Sequence, residues 1–176
     1  MASIRPITPC LWFDNQAEEA AKFYTGIFKD SKLGRITQYG EAGREIHQRP
    51  VGSVMMVDFE LNGTPFTALN GGPAFKFTEA ISLIITSKDQ KEVDYYWEKL
   101  SQGGDRNAQQ CGWLKDKFGL SWQVVPAVLL EMVGDPSDPK SQRVFSAMLQ
   151  MKKIDVAALE RAYAGESEPA LSHRSG

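Results

Sequence analysis

The chain has 176 residues, 42% hydrophobic and 24% charged, which suits one compact domain or two small fused modules with a core that needs no staples. A net charge of −2 and a pI near 5.7 provide no basic surface for tracking phosphates, so a nucleic-acid partner is not expected. No apolar run approaches the roughly 18 residues of a membrane span, and the N-terminus MASIRPITPCLWFD lacks an apolar signal core, so the expectation is a cytoplasmic protein without a membrane partner.

Ile7 to Phe13 is a short apolar run that predicts a strand. Asp14 or Asn15 can cap the helix that follows, whose stripe is Ala20, Phe23, Tyr24, Ile27 and Phe28. Strands are expected over Leu33 to Tyr39 and Ser53 to Leu61. Asn62-Gly63 is a two-residue hairpin signal that returns the chain through Thr64 to Asn70, and Gly71, Gly72 and Pro73 end the unit. The pattern then restarts. Ala80 to Thr86 is a β-branched run, Ser87 to Asp89 can cap a helix, and Val93, Tyr96, Trp97 and Leu100 form its stripe. Gly103 and Gly104 end that helix. Short strands are expected near Asp105 to Gln110 and Gly112 to Lys115, then Leu120 to Val125, stopped by Pro126.

Beyond Pro126 the character is helical. Ala127 to Val133 can form a short helix, and Asp138 can cap a second one with Val144, Met148 and Met151 at helical spacing. Asp155 can cap a last helix with Val156, Leu159 and Tyr163 on one side. The final GESEPALSHRSG is small, polar and without pattern, which reads as disordered.

One offset of 73 residues superposes the two halves. It places Glu19 on Glu92, Ala20 on Val93, Phe23 on Tyr96, Tyr24 on Trp97 and Ile27 on Leu100. A duplicated βαβββ module explains this, and the competing reading is chance likeness of two amphipathic helices after two strands. The organisation expected is a first module over 5–73, a second over 79–126, a helical extension over 127–164 and a tail over 165–176.

The stretches TPCLWFDNQAEEAAKFYTGIF, NGTPFTALNGGPAFKFTEAISLIITSKDQKEVDYYWEKL, CGWLKDKFGLSWQVVP and MKKIDVAALERAY closely resemble the PhnB-like branch of the vicinal oxygen chelate superfamily. That superfamily includes glyoxalase I, extradiol dioxygenases and bleomycin-resistance proteins. The branch often carries the label 3-demethylubiquinone-9 3-methyltransferase. The resemblance spans roughly residues 5 to 165. It implies an α+β fold of paired βαβββ modules whose curved mixed sheets enclose a cavity, with C-terminal helices, and commonly a homodimer.

Metal-dependent members of the superfamily project four ligands, usually His and Glu, from the first and last strand of each module. Counting back from the aromatic pairs places the first-strand positions at Pro9 and Ser82, and the hairpin glycines Gly63 and Gly119 place the others at Thr67 and Gln123. Proline has no side-chain donor, and hydroxyls and amides are poor ligands for divalent transition metals. The chain has two histidines, His47 and His173, and no His pair at ligand spacing. No metal and no cofactor are therefore expected. A glycine-rich loop for adenosylmethionine is not legible either. The first strand leads into DNQAEEAAKFY, and Asn70-Gly71-Gly72 does not open a helix.

Strand alternation assigns Leu11 and Phe13 to the cavity with Pro9, leaving Cys10 and Trp12 toward the helix. It assigns Ser82, Ile84 and Thr86 to the cavity in the second module, with Ser121, Gln123 and Val125 on the closing strand. With Thr67, this is an apolar lining with a few neutral hydrogen-bonding groups, suited to an uncharged or aromatic small molecule. Ser82 and Gln123 can instead satisfy one another or the backbone. Asp58 can be a general base on that lining or a rim carboxylate. His47 can be an acid or base on a loop or a solvated histidine. Cys10 and Cys111 fit a reducing compartment, and Cys111 is either a reactive thiol or a small packed residue. Two readings remain open. One is a homodimeric, metal-independent small-molecule-binding protein. The other is a metal-independent enzyme, a transferase or isomerase, using Asp58 or His47 with Gln123 as an orienting amide.

Overall fold

A computed structural model describes residues 7–166; the bulk of the tail expected from 165 onward, His173 included, lies outside the described residues. The chain divides into two compact units, one ending at Phe77 and the other beginning at Thr78. The fold is α+β. Each unit carries an open mixed sheet with a helix on one face, and helices follow the second sheet.

In the first unit β1 (Cys10–Phe13) leads to α1 (Ala17–Ile27), β2 (Lys32–Gln38), the short α2 (Arg44–His47), β3 (Val54–Leu61) and β4 (Thr64–Asn70). The sheet order is β1-β4-β3-β2, with β1 parallel to β4 and the other pairs antiparallel. The β3–β4 hairpin turns on Asn62 (φ 47°) and Gly63 (φ 76°), the left-handed pair that such a two-residue loop requires. Leu11, Phe13, Val57, Phe59, Phe66 and Ala68 are buried on one sheet face, where the Tyr24 ring stacks on Phe59 at 6.3 Å. The helix start differs from expectation. Gln16 is the N-cap and makes no side-chain cap bond. The Ala17 amide instead donates to Asn70 Oδ1 at 2.8 Å, and Asn70 Nδ2 donates to the Val54 carbonyl at 3.0 Å. A buried amide at the end of β4 thus does the capping expected of Asp14 or Asn15.

In the second unit β5 (Ser82–Ser87) leads to α3 (Gln90–Ser101), a 3₁₀ turn (Arg106–Ala108), β6 (Trp113–Lys115) and β7 (Ser121–Pro126), in sheet order β5-β7-β6. The helix starts Ala17 and Gln90 keep the 73-residue offset, and Val93 and Leu100 are buried like Ala20 and Ile27. Asp89 caps α3 by accepting from the Glu92 amide at 2.9 Å. The strand expected near Asp105 to Gln110 is replaced by the 3₁₀ turn and a single bridge between Gln110 and Trp113. The turn's own bonds explain it: Asp105 Oδ1 accepts from the Asn107 amide at 2.8 Å, and the Ala108 and Gln109 amides donate to the Asp105 and Arg106 carbonyls. Beyond the turn, the Cys111 and Gly112 amides donate to the Met151 and Lys152 carbonyls, both at 2.8 Å.

The extension comprises α4 (Ala127–Met132), α5 (Pro139–Met148) and α6 (Val156–Ala164). Its core is Leu129, Val144, Ile154 and Leu159. Gln90 of α3 clamps it to the second sheet's unit. Gln90 Nε2 donates to the Ile154 carbonyl at 3.1 Å, and Gln90 Oε1 accepts from the Val156 amide at 2.8 Å.

Candidate functional site

The turn between β6 and β7 fixes the strand on which Gln123 sits. Asp116 is buried at 2% exposure. Its Oδ1 accepts from the Phe118 and Leu120 amides at 2.9 and 3.1 Å, and its Oδ2 accepts from Trp122 Nε1 at 2.8 Å. Gly119 completes the turn at φ 85°. With Trp122 and Val124 buried on the helix side, alternation turns Ser121, Gln123 and Val125 to the open face. Ser82, Ile84 and Thr86 pair with them in register, and Gln123 Nε2 donates to Ser82 Oγ at 2.8 Å. Trp113 pairs with Gln123, and Lys115 pairs with Ser121, so both share that face. Lys115 Nζ contacts Glu79 Oε1, and this contact holds the Glu79 carboxyl below its usual range. The Ser121 hydroxyl is buried and has no hydrogen-bond partner.

In the first unit the face of β1 is inverted relative to expectation. Leu11 and Phe13 are buried among the helix-side residues, while Cys10 is exposed and Trp12 half-buried. Leu11 and Phe13 therefore do not line the open face. The cause is one residue. Three residues separate β1 from α1 and two separate β5 from α3, so the strands are offset by 74 residues while the helices are offset by 73. An odd shift moves every side chain to the other face. Phe13 then corresponds to Ser87, and the counterpart of Ser82 is Thr8, not Pro9.

On this open face Cys10 pairs with Thr67 and Thr67 with Asp58. Gln123 pairs with Ile84 and Trp113, so Thr67 and Gln123 occupy equivalent places, as do Asp58 and Trp113. Glu60 and Lys115 correspond by the same register. Thr67 Oγ1 donates to Asp58 Oδ1 at 2.9 Å. A pocket of about 340 Å³ is lined here by Thr8, Lys32, Gly34, Arg35, Asp58, Glu60, Pro65 and Thr67, together with Phe59 and Phe66. Two ion pairs cross it, Lys32 with Glu60 at 3.2 Å and Arg35 with Asp58 at 3.4 Å. The neutral, apolar lining expected from the sequence is therefore absent from the first unit. Glu60 was legible as sharing the parity of Asp58. Lys32 and Arg35 gave no signal, because their place depends on how β2 registers with β3.

His47 does not line this pocket. It closes α2, its Nδ1 accepts from the Arg49 amide at 3.0 Å, and its ring lies 4.5 Å from that of Tyr39. It is held by packing rather than carried on a free loop. Burial pushes the Cys10 thiol up from its ordinary value. Cys111 is a half-buried free thiol in the left-handed region.

The four positions that correspond to the superfamily's ligand places are thus Thr8, just ahead of β1, and Thr67, Ser82 and Gln123. Three hydroxyls and an amide do not suit a divalent transition metal. Among the described residues no three His, Cys, Asp or Glu side chains are grouped to hold a metal ion. Adenosylmethionine has no fitting cradle by the usual design either. Asp14-Asn15-Gln16 joins β1 to α1 without glycine, the α1 N-terminus is met by Asn70, and that of α3 by the Asp89 carboxylate.

The family model for 3-demethylubiquinone-9 3-methyltransferase matches residues 5–125, and the chain belongs to this family, in the PhnB-like branch of the glyoxalase-like superfamily. The chain is 35% identical to the PhnB protein from Bacillus cereus, with 70% of this chain and 100% of that one covered and a TM-score of 0.60. Protein PA1353 from Pseudomonas aeruginosa shares the fold at 19% identity, with 70% and 98% covered and a TM-score of 0.55. None of the curated proteins matches the chain.

Proposed function

We propose that this family member binds a small organic molecule of no net charge on the open faces of its two units, without a metal. One observation carries the reading. Where metal-using relatives need anionic or imidazole donors, Gln123 and Ser82 are neutral and joined at 2.8 Å. Such a pair can rotate outward to bind a carbonyl or hydroxyl and loses one hydrogen bond in doing so, a net change of about 0.5–1.5 kcal/mol. Ile84 and Trp113 supply apolar and aromatic surface beside it. The same reading takes the protein as a cytoplasmic homodimer. The exposed Leu130, Phe145 and Leu149 of the extension are apolar surface of the kind a second copy covers.

The test is elemental analysis of the purified full chain, with mass spectrometry of small molecules released on denaturation. The expected result is no stoichiometric zinc, nickel, iron or manganese and a released neutral organic compound. That compound should raise the melting temperature of the wild type more than that of Gln123→Ala. Stoichiometric transition metal overturns the reading.

Asp58 favours a second reading, a metal-independent enzyme. Its carboxylate lines a pocket and is oriented by Thr67 at 2.9 Å, the arrangement a general base needs. Turnover of the released compound that is lost in Asp58→Asn supports the enzyme, and binding without turnover excludes it.

A further inference from the structure

The two open faces differ in charge at equivalent places, and the first unit's pocket has a feature that ordinary surface ion pairs do not need. The β2–β3 register pairs Leu33 with Phe59 and Ile36 with Val57, so Gly34 and Arg35 together stand opposite Asp58. This is a bulge, a device that re-aims a side chain. Here the Arg35 guanidinium reaches Asp58 Oδ2. Gly34 eases the approach, because a Cβ there would lie a tight 3.0 Å from the Asp58 carbonyl oxygen and 3.3 Å from Asp58 Cβ. The Asp58 carboxylate is fixed on its other side by Thr67.

The Arg35–Asp58 contact is nevertheless loose. It is a single approach at 3.4 Å, and the two side chains are 73% and 39% exposed. Exposed pairs of this kind contribute little and open readily. Lys32 and Glu60 repeat the same polarity beside them, so the pocket is charge-balanced. A ligand with one net charge would leave one wall group without its counter-charge. A zwitterion exchanges pair for pair, its carboxylate meeting the Arg35 fork and its ammonium meeting Asp58.

We propose that the pocket of the first unit binds a small zwitterion, a compound with an ammonium and a carboxylate a few bonds apart, as in an α-amino acid. This rests on the reading of the protein as a binder of molecules without net charge, and it names their class for one of the two faces. The roughly 340 Å³ pocket has room for a molecule of that size, with Thr8 and Pro65 beside the charged groups.

The experiment is ligand-observed saturation-transfer NMR on the full chain with three probes. They are an equimolar mixture of the twenty standard amino acids, the mixture of their methyl esters, and the mixture of their N-acetyl derivatives. The expected result is signal from members of the first mixture only, with affinity at least tenfold weaker in Arg35→Gln and in Asp58→Asn and unchanged in Lys22→Gln, on the exposed side of α1. Should Asp58→Asn not fold, Arg35→Gln carries the test, because its side chain is mostly exposed. No signal from the amino acids, equal signal from the esters or the N-acetyl compounds, or signal surviving Arg35→Gln overturns the proposal. Copurified transition metal overturns the metal-free reading instead and leaves the Arg35 dependence a separate result.

Discussion

Asp116 should hold the strand that presents Gln123, and a double-mutant cycle with Trp122 measures how firmly. Removing the carboxylate in Asp116→Ala strands three donors, two in fully buried bonds and one in a half-buried bond. At about 1–3 kcal/mol for each of the two fully buried donors, and about 1 kcal/mol for the Phe118 amide where water gives relief, the loss is about 3–7 kcal/mol. Volume and turn effects contaminate that figure, so the cycle uses Asp116→Asn and Trp122→Phe. Asparagine keeps the shape and can still accept from the two amides, but its second acceptor becomes a donor facing the indole. Phenylalanine removes the indole donor and keeps most of the ring. A hydrogen bond to a charged group predicts a coupling of about 1.5–3 kcal/mol. Urea unfolding of the four proteins provides it from midpoints at constant m-value. A coupling under about 0.5 kcal/mol would refute the claim that this carboxylate ties β7 to its turn.

Gly71 is required by Trp12, since a Cβ would come within 2.2–2.5 Å of three indole atoms. The indole is itself held by donation to the Gly72 carbonyl at 2.8 Å. Gly71→Ala should cost about 1–3 kcal/mol by overpacking and alter tryptophan emission, and an unchanged melting temperature counts against it. Cys10, whose thiol is pushed up by burial, should react with iodoacetamide more slowly than free cysteine near pH 8 in a Cys111→Ser background, gaining with pH to beyond the free thiol's plateau. Equal rates would show the thiol unshifted. Lys153, and then Gln90, hold the Asp94 carboxyl below its usual range. A depressed carboxyl contributes stability above its unfolded pKa and loses it as pH falls through the folded one. The pair is 41% and 49% exposed, so the effect is small: proteolysis within the extension should rise slightly on acidification below the ordinary carboxylate range, and Asp94→Asn should raise it slightly at neutral pH; indifference of both to pH and mutation rejects a contribution from the pair.

Local chemistry was legible where it acts over a few residues. Asn62-Gly63, Asp89, Asp138 and Asp155 perform the turn and caps that their types predict. Capping of α1 was not, because the group that reaches Ala17 is Asn70, 53 residues away along the chain. The strand expected near Asp105 to Gln110 is missing for a local reason, because the Asn107, Ala108 and Gln109 amides bond back within the turn to Asp105 and Arg106 rather than across a ladder. The face of β1 failed for a sharper reason. The aromatic pairs in α1 and α3 do sit at one offset, but counting from a helix into a strand carries any change in the connection into the strand's parity. A single extra residue among Asp14, Asn15 and Gln16 moved Leu11 and Phe13 under the helix and brought Cys10 and Trp12 out.

That displacement bears on function. With β1 placed correctly, the four ligand places hold Thr8, Thr67, Ser82 and Gln123, so the absence of good metal donors does not depend on the miscounted proline. The surroundings of the two sets then diverge at matched positions, Asp58 against Trp113 and Glu60 against Lys115. One face has opposed charges that a ligand can exchange, and the other has an amide, hydroxyls and an indole. A metal ion would impose an electrostatic requirement on each place that ligates it, because each ligand must help offset the cation. Neutral donors remove that requirement and leave each face free to match a molecule of its own. Exchanging Asp58 and Trp113 between the faces, singly and together, tests this. Each single change should weaken binding at its own face alone, and loss at both faces from either change would show one shared site.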